Sequence, residues 1–310
     1  MNLISIEIGG SKLQIFAGTE SGHVLERCRF KVDREAGGEG IRERIAEALP
    51  DLLNRWAPEA IGAGYGGPVN CKTGVIKCSH HVRGWDGFPL SDWLAELTGL
   101  PAAVENDANA AALGEALFGA GRGANPVAWV NCGSGVGGGL VVDGRIYHGA
   151  VPGEMEIGHL RLDPSGTIVE DRCSGWALDR AVRSVVAANP DSILAKEVRA
   201  EALTAGEARA IVPALNKGCP EADRLLTSAM NDLAFALSHV VHLAHPEVIV
   251  VGGGLHLIGE QLRKRVSDAL SGFVMSAFGA PPVALARLGE ESVLMGGLAL
   301  ASSANHVSRR

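Results

Sequence analysis

The chain has 310 residues, 46% of them apolar and 20% charged, with a formal net charge of −7. This composition fits a soluble globular chain with ample core material, and the length favours two α/β domains over one. The acidic balance argues against a partner held through nucleic-acid phosphates, but leaves room for a small anion held by backbone N–H groups. Six cysteines are present without a CxxC pair, which points to free thiols in a reducing compartment. No leader pattern opens the chain and no apolar run reaches about 18 residues, so a cytoplasmic location without membrane contact is expected.

Residues 3–30 read as three short strands. Ile4, Ile6 and Ile8 alternate with Ser5 and Glu7, and Gly9-Gly10 and Ser21-Gly22 mark the bends. Ile41, Ile45, Leu49 and Leu52 recur at helical spacing, and IGAGYGG (61–67) is a buried strand ending in glycines. The loop CSHHVRGWDGF (78–88) follows, in which His80-His81 shows no partner pattern. In VENDANAAALGEALFG (104–119) a strand ends at Val104-Glu105 and an alanine-rich helix occupies 108–117. Asn106 and Asp107 stand at its start. They read either as simple helix caps or as a site in which Asp107, ionised at neutral pH, takes the proton of a hydroxyl nucleophile.

The segment VNCGSGVGGGLVVDG (130–144) places Gly133, Gly135 and Gly138 in the pattern G-x-G-x-x-G. In a dinucleotide fingerprint those glycines open a helix. Here Leu140–Val142 and an Asp143-Gly144 turn follow, so the glycines sit at a hairpin bend and an NAD(P) oxidoreductase is set aside. Glu156 and His159 in GAVPGEMEIGH are three apart, but Gly158 and the strand-like sequel argue against a helix. His159 reads either as a core histidine or as a ligand contact. A later helix carries Met230, Leu233, Leu237, Val240 and Val241 on one stripe and His239, His242 and His245 on its polar side. EVIVVGGG (247–254) is again a short strand ending in glycines. VLMGGLALASSA reads as a small-residue helix, and HVSRR as a frayed end.

Both halves therefore run strand, glycine bend, strand, turn, strand, helix, strand, glycines. Such a duplication predicts two domains of one plan around a cleft, with each bend turning N–H groups toward an anion.

These segments together resemble the ROK family of sugar kinases and sugar-responsive repressors, over nearly the whole chain. EIGGSK (7–12) resembles the family's first phosphate loop, D-x-G-G-T-K, and the 133–138 bend its second, G-T-G-V-G-G-G. GYGGPVN (64–70) is similar to the turn that approaches the sugar, and ENDANAAALGE is the most specific match. EIGH (156–159) resembles the sugar-contacting Glu and His, and VEDRCSGWAL (169–178) the segment L-E-x-x-x-S-G-x-A-L. The resemblance implies an actin-like (hexokinase/ribonuclease H-like) α/β ATPase fold with two duplicated domains. Residues 1–107 plus about 290–310 would form the smaller, and 108–289 the larger.

The resemblance further implies ATP-dependent phosphorylation of a glucose-type hexose at the 6-hydroxyl, with Asp107 as general base. Gly66, Asn70, Asn106, Asp107, Glu156, His159 and Glu170 would hold the sugar. Gly9, Gly10, Ser11, Lys12, Gly133, Ser134, Gly135, Gly137, Gly138, Gly253 and Gly254 would surround ATP, which comes with Mg²⁺. Amides and carboxylates suit a neutral polyol. A homodimer is the family's habit. N-acetylglucosamine or N-acetylmannosamine kinase is the alternative activity, polyphosphate an alternative donor, and a non-catalytic sugar sensor of the repressor type the alternative class. Against the sensor, the chain retains Asp107 and both phosphate loops, and its first strand leaves no space for a DNA-binding module.

Two departures stand out. Glu7 replaces the Asp that organises the magnesium–phosphate region. The family's zinc motif, C-x-C-G-x-x-G-C-x-E, is missing from the ten residues between His159 and Glu170, so no zinc site is predicted. The loop it would have held must then be secured otherwise, with Trp176 packing as the expected substitute.

Overall fold

The computed structural model describes residues 1–79, 82–151, 153 and 155–308. The His80-His81 pair and the final Arg309-Arg310 therefore lie outside the described residues. The chain opens with strands β1 (Asn2–Ile8), β2 (Lys12–Thr19) and β3 (Val24–Lys31), then helix α1 (Gly37–Trp56) and strand β4 (Ile61–Tyr65). A small hairpin, β5 (Val69–Asn70) and β6 (Val75–Ile76), leads to α2 (Leu90–Thr98), β7 (Ala102–Asn106) and α3 (Asp107–Phe118). The second half begins with β8 (Val127–Cys132), β9 (Val136–Val142) and β10 (Arg145–Ile146). Helices α4 (Val169–Cys173), α5 (Gly175–Ala188), α6 (Ile193–Ala200), α7 (Ile211–Asn216) and α8 (Pro220–Ala244) follow. Strand β11 (Val248–Gly252), α9 (Glu260–Phe273), β12 (Val283–Leu285) and α10 (Ser292–Ser308) complete the chain. Helix α10 continues through most of the segment expected to fray.

The duplication read from the sequence is present in the topology. The two five-stranded sheets have the orders β3-β2-β1-β4-β7 and β10-β9-β8-β11-β12. In the first, β1–β2 and β2–β3 are antiparallel and β1–β4 and β4–β7 parallel. In the second, β9–β10 is antiparallel and β8–β11 and β11–β12 are parallel.

By packing, the chain forms two units: Met1–Gly123 with Gly139–Met155 and Arg287–Arg310, and Ala124–Gly138 with Glu156–Ala286. This division differs from a boundary at Asp107–Ala108, because α3 stays with the first unit. The reason is backbone proximity. A methyl added at Gly114 would overlap the carbonyl of Ser292, and one at Gly296 the carbonyl of Ala110. Helices α3 and α10 thus touch through glycines, the arrangement that the small-residue composition of α10 allows.

The same helix covers the polar face of β1. Ser5 is fully buried and Glu7 nearly so, because α10 lies over that face and Gly297 lies against the Ser5 side chain. On the other face Ile4, Ile6, Ile8, Leu13 and Ile15 form one core with Ile41, Ile45, Leu49 and Leu52 of α1. Each such side chain contributes about 1.5–3 kcal/mol on burial. No helix among the described residues is long and apolar enough to cross a membrane.

Candidate functional site

In the first unit the parallel strands β1, β4 and β7 run side by side, and a candidate residue follows the end of each: Gly9, Gly66 and Asp107, the last opening α3 directly after Asn106. The carboxyl ends of parallel strands are where open α/β sheets place ligands. The Gly66 N–H donates to the carbonyl of Ile8 at 2.9 Å, which fastens the two turns together. A Cβ at Gly66 would lie 3.4 Å from Asp107 Oδ2 and 3.7 Å from the Gly9 Cα. The three strand ends thus converge to within van der Waals distance of one carboxylate.

The two readings of the Asn106-Asp107 pair separate here. Asn106 is the helix cap: its Oδ1 accepts from the N–H groups of Ala108 (2.8 Å) and Asn109 (3.2 Å). Its Nδ2 donates to the carbonyl of Gly67 at 3.2 Å, holding the glycine turn in place. Asp107 is the first residue of the helix. Its Oδ1 accepts from Ala108 N–H at 2.8 Å while Oδ2 faces Gly66. The N-terminal end of α3 favours its negative form. Asn70 ends β5 and shapes a turn, with its Oδ1 accepting from Lys72 N–H at 3.1 Å.

Glu7 does not point into an empty coordination shell. Lys12 Nζ lies 3.1 Å from its Oε1, and Gln14, directly opposite on β2, donates to Oε2 at 2.7 Å. Both oxygens are engaged within the hairpin. The donor set does not fit a resident magnesium ion at Glu7, since the ammonium already supplies the positive charge. Between Glu7 and Lys12, Gly9 N–H donates to the Lys12 carbonyl (3.0 Å) and the Gly10 carbonyl accepts from Arg34 (2.9 Å). Ser11 is exposed at the tip.

In the second unit the bend comprises Gly133, Ser134 and Gly135, whereas Gly137 and Gly138 are strand residues of β9. None of the glycines from 133 to 138 has a positive φ, so no αR-αL nest forms there. Gly135 is needed for space. A Cβ at Gly135 would collide with Glu170, whose Oε2 accepts from Val136 N–H at 2.8 Å. Gly175 N–H donates to the Gly133 carbonyl at 2.7 Å, fixing the start of α5 against the bend. Gly253 does need its glycine conformation: φ is +76°, and a side chain there would strike Asn131. It follows β11 beside β8, so Gly133, Gly175 and Gly253 gather at two neighbouring strand ends.

Glu156 and His159 flank a single 3₁₀ turn, in which His159 N–H donates to the Glu156 carbonyl at 3.0 Å. Both side chains are exposed, which corrects the core-histidine reading of His159. Gly158, between them, lies tight against the carbonyl of Val136.

The loop that follows is not held by Trp176, which is 57% exposed. It closes on itself. Arg161 bridges Ile168, Leu162 N–H donates to the Thr167 carbonyl at 2.8 Å, and Asp163 accepts from Ser165 N–H at 2.7 Å. The Ser165 hydroxyl donates to the same Asp163 oxygen. These hydroxyl and backbone donors, the Ser165 side chain first, lower the Asp163 pKa to about 2. Cys173 is buried with its thiol donating to the Ala229 carbonyl, and burial pushes its pKa up.

Sequence reading missed the walls beside the second bend. A cavity of about 400 Å³ starts at Gly133 and Ser134 and is lined by Trp176, Asp179, Arg209, Leu255 and Leu257. Trp176 and the 79%-exposed Leu257 offer an apolar rim, and Asp179 anchors the floor by accepting from Ala208 N–H at 2.8 Å. The sequence pointed to Trp176 as packing for the neighbouring loop and not as a wall of this cavity; Arg209 carried no signal.

The family model described as the ROK family matches residues 3–304. The chain belongs to the ROK family. Similar members include the glucokinase of Halalkalibacterium halodurans, 31% identical over 319 residues, with 95% of this chain and 93% of that protein covered. The glucokinase of Thermotoga maritima is 28% identical over 305 residues, with 96% of each covered. Among solved structures, a ROK family glucokinase from Streptomyces griseus in complex with glucose and AMPPNP superposes with a TM-score of 0.82 at 28% identity. It covers 98% of this ROK chain and 100% of its own. The fold of this ROK protein is accordingly the actin-like ATPase fold.

Proposed function

We propose that this ROK protein is a sugar kinase that transfers the γ-phosphoryl group of ATP to the 6-hydroxyl of a glucose-type hexose, with Asp107 as general base. The observation that carries this reading is the Asp107 carboxylate, held at the start of α3 with one oxygen tied to the backbone and the other facing Gly66. A carboxylate so placed can accept the hydroxyl proton as the phosphorus–oxygen bond forms. Phosphoryl transfer asks the protein chiefly for positioning and charge stabilisation.

The division of labour follows the two units. In the first, the Gly66 turn, Asn70 and the remaining amide hydrogen of Asn106 present polar groups to sugar hydroxyls. In the second, the Ser134 and Gly135 N–H groups of the bend and that of Gly253 would meet the phosphates, the Gly133 N–H being spent on the Gly135 carbonyl, and the cavity rimmed by Trp176 and Leu257 suits the flat apolar face of a purine. Glu156 and His159, both exposed, add sugar contacts. Glu170 holds the phosphate bend through Val136, so its effect on the sugar is exerted with one oxygen already committed. Magnesium enters as part of the substrate, MgATP. The Streptomyces griseus relative, crystallised with glucose and AMPPNP, supports both substrate classes.

ADP release measured over a panel of neutral hexoses and N-acetylhexosamines tests the reading. Glucose should be turned over fastest, and Asp107→Asn should remove most of that turnover. Release of ADP with no sugar in the panel, or from N-acetylhexosamines alone, rejects the hexose assignment.

A further inference from the structure

Three residues far apart in sequence meet in the first unit, beside the candidate site and separate from it. Among the described residues, Cys71 Sγ, a Glu105 carboxylate oxygen and a His148 ring nitrogen lie within 4.8 Å of one another. Cys71 comes from the β5–β6 turn, Glu105 from β7, and His148 from the chain just after β10. Glu105 is only 2% exposed. Its Oε1 accepts from Asn106 N–H (2.9 Å) and from Asn109 Nδ2 (3.1 Å), which leaves Oε2 aimed at His148 Nε2, 2.6 Å away. Asn109 Nδ2 also donates to the Gly153 carbonyl at 3.1 Å, tying the 139–155 segment to the same cluster.

We propose that Cys71, Glu105 and His148 form a binding site for a borderline-soft divalent cation of the Zn²⁺ class, with water as the fourth ligand. The donor set is the argument. A thiolate, an imidazole and a carboxylate match the sulfur, nitrogen and oxygen ligands zinc takes, and their two negative charges neutralise a divalent ion. Closing three atoms already within 4.8 Å onto bonds of about 2.0–2.3 Å requires small rotations only. The Asn106 and Asn109 donors to Glu105 supply the outer hydrogen bonds that orient a ligating carboxylate. The prediction of no zinc came from residues 159–173 in the second unit; this cluster has no spacing signature that a sequence reading could find. Cys71 adjoins Asn70 and Glu105 adjoins Asn106, so the ion would clamp the turn and strand that present those residues.

Chelator-treated full-length protein titrated with Co²⁺ should develop a thiolate-to-cobalt charge-transfer band and tetrahedral visible bands that saturate at one equivalent. Zn²⁺ should displace them and raise the thermal midpoint. Cys71→Ser and His148→Ala should abolish the charge-transfer band and the zinc-dependent midpoint shift, while Cys28→Ser retains both. A wild type without a thiolate band, or a Cys71→Ser protein with an undiminished one, overturns the proposal. These readouts do not depend on kinase activity, so they stand apart from a failure of the sugar-kinase reading.

Discussion

The two glycine bends occupy equivalent places in two sheets of identical strand order, yet they are secured by different chemistry. The first is locked from within its own hairpin, by Glu7 bonded to Lys12 and Gln14. The second is locked from outside, by Glu170 of α4 accepting from Val136 N–H and by Gly175 of α5 donating to Gly133. Duplication conserves topology because the backbone ladder dictates it. What it leaves open is which side chains hold the loops at the strand ends, where function resides. The first unit adds the Asp107 carboxylate beside its bend; the second adds an apolar cavity. The proposed function assigns chemistry and nucleotide holding to different copies of one plan.

That assignment can be broken by mutation. Asp107→Asn keeps shape and hydrogen bonding, so kcat should fall by about 10²–10⁴ while the KM for ATP and the melting temperature stay close to wild type. A loss smaller than tenfold would remove Asp107 from the base role. Gly135→Ala should do the reverse. Its methyl displaces Glu170 from Val136, costing about 1–3 kcal/mol, and the KM for ATP should rise more than kcat falls. Equal effects on both substrates would erase the distinction between the units. Lys12→Met tests the inner lock: Glu7 is buried, so loss of the ammonium leaves its carboxylate with Gln14 as partner, and unfolding free energy should drop by about 1–3 kcal/mol. An unchanged urea midpoint would remove this pair as a lock. The smallest effect belongs to Asp163. Its folded pKa is depressed to about 2 from 3.8, so its contribution is present above pH about 4 and lost as pH falls toward 2. Protection factors at the 160–168 amides, corrected for intrinsic exchange, should fall across that window in the wild type, and those of Asp163→Asn should not change across it.

Much of the architecture was legible because it rests on local pattern. The duplicated strand–bend–strand order, the α1 stripe and the alanine-rich α3 all follow from periodicity and turn residues. Asn106 and Asp107 were visible as a pair, but not their separate duties: capping depends on which side chain faces the first free N–H groups, and sequence cannot assign that. The alternation in β1 could not show that its polar face is buried, because the covering element, α10, lies almost 300 residues away. Trp176 was misplaced for a similar reason. An aromatic next to a shortened loop reads as filler, whereas the loop's own Asp163 turn closes it without help. Arg209, Gln14 and the Cys71–Glu105–His148 cluster depend on contacts between distant segments and leave no spacing to read.

The glycine contacts of α10 have a consequence for assembly of the chain. In the first unit β1 is covered by α10, which is made after all the elements between them, because Gly296 and Gly297 seat α10 on α3 and on β1. During synthesis, Leu3, Ala60 and the β1 face around Ser5 have no cover until residues 292–308 emerge. Such long-range closure is slow and exposes apolar surface while it waits. A chain stopped before residue 292 would therefore be prone to aggregate, even though it would retain every residue assigned to the chemistry.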